Sequence, residues 1–156
     1  MAQGDTSGRT LLGRALALTG SWRHEEAAEL LFTHMDALPA SDCGLALALA
    51  QEPEAAIAVL AAAAEQEPGD AGLRQNLAFA YALAGRWREA RALTALDVPP
   101  DRLPARLERW ARLASAGPSP QRLAAMLGIE MPGRSRPDRS RRQVAAARPR
   151  WAGARW

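Results

Sequence analysis

The sequence predicts an all-α chain: a solenoid of about three helical hairpins, closed by C-terminal capping helices and trailed by a disordered basic tail. Three observations point there. Alanine and leucine dominate an apolar fraction of 48%, and aromatic residues make up only 5%, a balance that favours helix over strand on local propensity. Two stretches repeat at a spacing of thirty-four, with Cys43, Gly44, Leu45, Leu47 and Leu49 standing over Leu77, Ala78, Phe79, Tyr81 and Leu83. The match continues past the turn, where Ala56, Ala58 and Val59 stand over Ala90, Ala92 and Leu93. Beyond about residue 130, proline, glycine, serine and arginine replace every apolar period, as in chains that cannot bury enough surface to fold.

Taken in order, residues 1–8 are polar and read as a disordered N-terminus, and residues 9–100 carry the repeats. An upstream copy sets Leu12, Gly13, Leu16, Leu18, Gly20 and Trp22 over Leu77, Ala78, Tyr81, Leu83, Gly85 and Trp87 at a spacing of sixty-five. Relative to two full periods this places two extra residues in the turn near Arg23 to Glu26, with about five missing before Ser41. The first helix of the middle repeat is therefore short. In the clearest copy Asp70 caps a helix running to Ala84, and Gly85 supplies the left-handed position that ends it. Ala78 and Ala90 are small where the two antiparallel helices approach, while Leu77, Tyr81, Trp87 and Leu93 fill the space around that contact. A period of thirty-four is that of the tetratricopeptide repeat (TPR), which these hairpins resemble, and stacked neighbours complete the core that no single hairpin can bury.

Residues 101–129 read as capping helices. Asp101 is placed to cap the first, whose Leu103, Leu107, Trp110 and Leu113 recur at helical spacing, with Pro104 tolerated in the opening turn. A second, with Ser119 at the N-cap, Pro120 at its first position and Leu123, Met126 and Leu127 on one face, folds back on the first. Residues 130–156 form the Arg-rich tail: eight arginines against one aspartate give Met131 to Trp156 a charge of +7, leaving the preceding body at −4 within a net +3.

All twenty basic residues are arginine. The absence of lysine excludes a Walker-A phosphate loop, a kinase-type lysine and a Schiff-base lysine. Neither GxGxxG nor GxSxG occurs, so the expectation is a protein that is no enzyme, with no catalytic residue, cofactor or metal. His24 and His34 lack the i, i+4 spacing of a helical metal pair, and Glu25, Glu26 and Glu29 suit the start of a helix dipole. Trp22, Trp87 and Trp110 are expected in the core. Cys43 is the sole cysteine and reads as a packing residue, no run approaches the roughly 20 apolar residues of a membrane span, and no secretory h-region is visible. As written, the sequence is expected to be cytoplasmic.

The stretch from Arg74 to Gly128 carries a narrower likeness. Gln75-Asn76-Leu77 opens a helix, Ala84-Gly85-Arg86-Trp87 makes the turn, Asp97-Val98-Pro99 leaves the repeat and Ala125-Met126-Leu127-Gly128-Ile129 closes it. This pattern resembles the TadD-like TPR proteins of bacterial Flp (tight-adherence) pilus loci and related alphaproteobacterial TPR proteins with SPOR domains. The resemblance implies a scaffold in assembly of a pilus or other envelope secretion machine, without catalysis or cofactor, and a periplasmic or outer-membrane-associated site if the start is trimmed. No lipobox is read around Cys43, and the basic tail is expected in the place of a SPOR-type domain.

Two binding surfaces are expected. The first is the concave side lined by first helices, where TPR proteins similar to this one hold extended peptides. Its positions are Gln75, Asn76 and Phe79 in the clearest repeat, with Arg14 and Asp42 in comparable places upstream; the Asn76 amide can pair with a ligand backbone. The second is the tail, whose Arg139, Arg141, Arg142, Arg148 and Arg150, interleaved with Trp151 and Trp156, suit RNA phosphates, anionic lipid or an acidic protein. A protein partner is the leading expectation, ahead of nucleic acid; the oligomeric state is open.

Overall fold

The computed structural model describes residues 3–117. Seven α-helices and a single 3₁₀ turn, and no strand, occur among them: α1 (Gln3–Gly20), α2 (His24–Thr33), the turn Met35–Ala37, α3 (Ala40–Leu49), α4 (Pro53–Gln66), α5 (Ala71–Leu83), α6 (Trp87–Asp97) and α7 (Leu103–Ser115). Helices pair as the hairpins α1–α2, α3–α4 and α5–α6; the first helix of each later hairpin packs against both helices of the one before it, and α4 lies more extensively on α5 than α3 does. The fold is an all-α helical repeat. The second capping helix expected from Ser119 and the basic tail both lie outside the described residues.

Register follows from small residues at the crossings. Ala15 and Ala27, Gly44 and Ala56, and Ala78 and Ala90 are each twelve positions apart, and all six are buried. At the next turn of each second helix Leu31, Leu60 and Thr94 are also buried, and Thr94 satisfies its hydroxyl by donating to the Ala90 carbonyl at 2.7 Å. A closed hydroxyl of this kind removes the penalty of burying a polar atom. Since the twelve-residue spacing holds in all three hairpins, the first turn carries no insertion. The whole shortfall lies between the first and second hairpins, where the 3₁₀ turn leads into a ten-residue α3, against thirteen residues in α5.

This register corrects the position of two tryptophans. Arg23, Glu52 and Arg86 donate their N–H groups to the carbonyls of Leu18, Leu47 and Tyr81 at 2.9, 2.9 and 2.8 Å, closing the same helix-ending turn three times. The residue before each donor takes a positive φ: Trp22 at 64°, Gln51 at 72° and Gly85 at 75°. Trp22 is thus the counterpart of Gly85, not of Trp87, and it is 55% exposed. Only glycine holds that conformation without strain; in the first two hairpins a bulky side chain does so because the flanking helices fix the turn. Trp87, the first residue of α6, is 38% exposed, because α7 leans toward α5 more than toward α6 and leaves it uncovered on one side. Trp110 alone of the three joins the core, at 6%.

Two helix starts also differ from expectation. α1 begins at Gln3, within the stretch expected to be disordered; Gly8 is buried where an added Cβ would lie 3.0 Å from the Ala37 carbonyl, so the absence of a side chain lets α1 dock on the 3₁₀ turn. α7 is capped by the backbone at Arg102 with no side-chain bond, so Asp101 does not cap it, while Pro104 sits in the first turn as expected. Asp70 does cap α5, its Oδ1 accepting from the Gly72 and Leu73 N–H groups at 2.7 and 3.1 Å, an arrangement that typically contributes about 1 kcal/mol.

Cys43 lies in the core between α3 and its neighbours, and burial pushes its thiol pKa up. A thiol reagent is expected to leave the native chain unlabelled at neutral pH and to react fully once guanidinium unfolds it. Fast labelling of the native chain would show that this core opens readily.

Candidate functional site

The first helices α1, α3 and α5 lie side by side, and α2, α4 and α6 form the second layer. Immediately after each crossing residue comes a large apolar one: Leu16 after Ala15, Leu45 after Gly44 and Phe79 after Ala78. One position along a helix rotates the side chain by about 100°, so these three turn away from the helix pair and onto the face of the first-helix layer. There they belong to one apolar cluster with Leu49 and Ala82, which α7 joins through Trp110 and Leu113. Leu16 and Leu45 stay half-buried and accessible. Phe79 is 2% exposed, its ring edge-on to Trp110 with centroids 5.7 Å apart. The open part of the band therefore belongs to α1 and α3, and α7 occupies the part on α5.

The residues expected to bind a partner fall in different surroundings. Gln75 is half-buried, donating its amide to Asp97 at 3.2 Å and accepting from Arg106 of α7 at 3.5 Å. Asn76, also half-buried, donates to the Ser41 carbonyl at 3.4 Å and so ties α5 to the start of α3. Phe79 has its ring covered. Asp42 is exposed on α3 and borders a depression of about 410 Å³ with Arg9, Leu12 and Pro39. Arg14 is exposed too, but it precedes Ala15 as Cys43 precedes Gly44 and Leu77 precedes Ala78, so it is not the counterpart of Asp42 and Asn76. Cys43 and Leu77 are buried; Arg14, in the first hairpin, stands open beside Glu26 and Glu29 of α2 in a depression of about 240 Å³. Arg139, Arg141, Arg142, Arg148 and Arg150 lie outside the described residues. Leu16 and Leu45 were not among the expected residues, although a large apolar residue directly after each small one is a readable signal.

A polar network borders the covered end of the band. Asp97, at the end of α6, accepts from Arg74 Nη2 at 2.5 Å and Arg74 Nε at 3.0 Å, and the same guanidinium also donates to the Pro68 carbonyl. Such a two-point pair fixes direction as well as distance. Arg74 beside it, with help from Gln75, holds the Asp97 carboxyl below its usual pKa. A carboxyl whose pKa is depressed by folding stabilises the fold above its unfolded value, about 3.9, and loses that contribution as pH falls through the folded value. Urea midpoints of the wild type are expected to fall on acidification below about pH 4, and Asp97→Asn, less stable at neutral pH, should show a shallower fall. Parallel acid profiles would show that Asp97 titrates alike folded and unfolded.

Among the described residues no group of three or more His, Cys, Asp or Glu side chains could hold a metal ion, and no helix is long and apolar enough to cross a membrane. A tetratricopeptide-repeat family model matches residues 47–116, which runs from the end of α3 through α7 and supports a TPR protein. No curated protein matches the chain, and neither does any solved structure.

Proposed function

We propose that the chain is a non-enzymatic adaptor that holds a segment of a partner protein across the first-helix face of α1 and α3, with Leu16 and Leu45 as apolar anchors and Asp42 at the rim. Tetratricopeptide repeats generally mediate protein–protein interaction, and the match over residues 47–116 supports that role here. The observation that carries the reading is the apolar band. It crosses three hairpins in register, is closed by α7 on α5, and stays accessible on α1 and α3. An apolar centre with a polar rim is the usual anatomy of a protein interface, and helical repeats present such surfaces along the stack.

The test is co-purification of partners from the native source with the wild type and with Leu16→Asp/Leu45→Asp. Each anchor is half-buried, so the double variant should keep its helical content while its partner is lost, since placing a charge at the centre of an interface typically costs several kcal/mol. A partner retained by that variant but lost on removing residues 131–156, with binding that falls steeply as salt rises, would instead assign recognition to the tail and to an anionic ligand such as RNA or acidic membrane. Within the adaptor reading, a role in assembling a Flp (tight-adherence) pilus or other envelope secretion machine is supported by the likeness over Arg74 to Gly128. Loss of surface pili in a deletion strain, restored by the wild type and not by the double variant, is the result expected of it.

A further inference from the structure

α7 shows what the first-helix band accepts. It follows α5 in the same direction at a constant offset of thirty-one residues: Arg106 donates to Gln75 Oε1 at 3.5 Å, Trp110 sets its ring against Phe79 at 5.7 Å, and Leu113 joins Ala82 in one apolar cluster. Arg106 and Trp110 stand one turn apart on one face of α7, with the guanidinium 5.9 Å from the indole centroid. Gln75 also donates to Asp97, so this cation meets the edge of an anionic network. The occupant of the covered part of the band is thus an amphipathic helix with a cation one turn ahead of a large ring.

The open part repeats the surface that α7 uses. Leu45 stands where Phe79 stands, and Asp42, exposed, stands where Asn76 stands, so a carboxylate lies one turn ahead of the apolar anchor. In α1 the same two places are held by Leu16 and Gly13. A Cβ on Gly13 would meet nothing within 4 Å, so no side chain separates an arriving helix from the α1 backbone there. The depression of about 410 Å³ bordered by Asp42, Leu12 and Pro39, with Arg9 on its α1 side, lies in the same region. The amides placed to pair with an extended peptide are already engaged: Gln75 by Asp97 and Arg106, Asn76 by the Ser41 carbonyl. A helix satisfies its own backbone and needs neither.

We infer that the segment held across α1 and α3 is a basic amphipathic helix of the partner protein, running in the direction of α3. It sets a large apolar side chain against Leu16 and Leu45 and, one turn earlier, an arginine or lysine against Asp42. The inference rests on the adaptor reading above and adds the conformation, direction and charge of what is bound. α7 supplies the template, and the net charge of −4 on the body ahead of the basic tail favours the same sign of partner.

A peptide of residues 102–116 serves as the probe, held helical by a lactam between Glu108 and Arg112→Lys. Both positions are exposed in α7 and about 160° around the helix from Trp110. Fluorescence anisotropy with the full chain should show binding to the wild type, weakened tenfold or more by Leu16→Asp/Leu45→Asp. Arg106→Glu in the probe should weaken binding to the wild type about tenfold, and the reversed probe should bind Asp42→Arg more tightly than it binds the wild type. A probe indifferent to these variants, as when it merely exchanges with α7 on α5, would overturn the inference. So would a probe that does not bind while the co-purified partner still depends on Leu16 and Leu45; the adaptor reading would then stand, with a segment of another kind. A partner retained by Leu16→Asp/Leu45→Asp would remove the adaptor reading itself.

Discussion

Replacing Trp110 with alanine is expected to lower the unfolding free energy by about 3–5 kcal/mol, the range for removing a buried tryptophan. Three contacts converge on this one side chain. Its ring lies edge-on to Phe79 at 5.7 Å, the Arg106 guanidinium stands 5.9 Å from its centroid, and it shares a cluster with Leu113, Ala78 and Leu49. Without it, α7 keeps Leu103 and Leu113 as its buried anchors, too few for a thirteen-residue helix that is marginal in isolation. Urea denaturation followed by helical circular dichroism measures the loss; a change under about 1 kcal/mol would mean that α7 is not part of the cooperative unit. The same substitution uncovers Phe79. The partner-binding band would then extend from α1 and α3 onto α5, so a partner held at Leu16 and Leu45 is expected to bind Trp110→Ala no more weakly than wild type wherever the variant is folded.

How far the sequence discloses this architecture depends on whether a position is decided locally. Asp70 and Gly85 are legible because a carboxylate before a helix and a glycine after one act through the nearest backbone, and both are found in those roles. Trp22 and Gln51 hold the same turn as Gly85 with the wrong residue type for it, since neighbouring helices impose their positive φ. The pair Gly20 and Trp22 also mimics Gly85 and Trp87, which shifts the first copy by two; the twelve-residue step between Ala15 and Ala27 is the more faithful guide, because close helix approach tolerates only small groups. The binding face divides in the same way. Phe79 has the composition of a contact residue, and its burial comes from α7, more than two dozen positions along the chain. Leu16 and Leu45 are accessible because, among the described residues, no helix covers α1 and α3 on that side.

The close approach can be tested by one substitution made at two glycines. A Cβ built on Gly44 would fall 2.4, 2.7 and 2.9 Å from Cγ, Cδ2 and Cδ1 of Leu60. Leu60 is fully buried, so its whole side chain would have to leave its place in a closed core. Gly44→Ala is expected to destabilise the fold by about 1–3 kcal/mol, the usual consequence of overpacking, against a helix-propensity gain of up to about 1 kcal/mol for replacing a helical glycine. Gly13 lies within α1 and is exposed, with nothing within 4 Å of the added carbon. There only the propensity gain remains, and Gly13→Ala should stabilise by about 0.5–1 kcal/mol. Opposite signs in the two urea midpoints are the expected result. If both rose, α3 and α4 would not cross at Gly44 as closely as described, and the register that brings Leu45 onto the binding face would have no support.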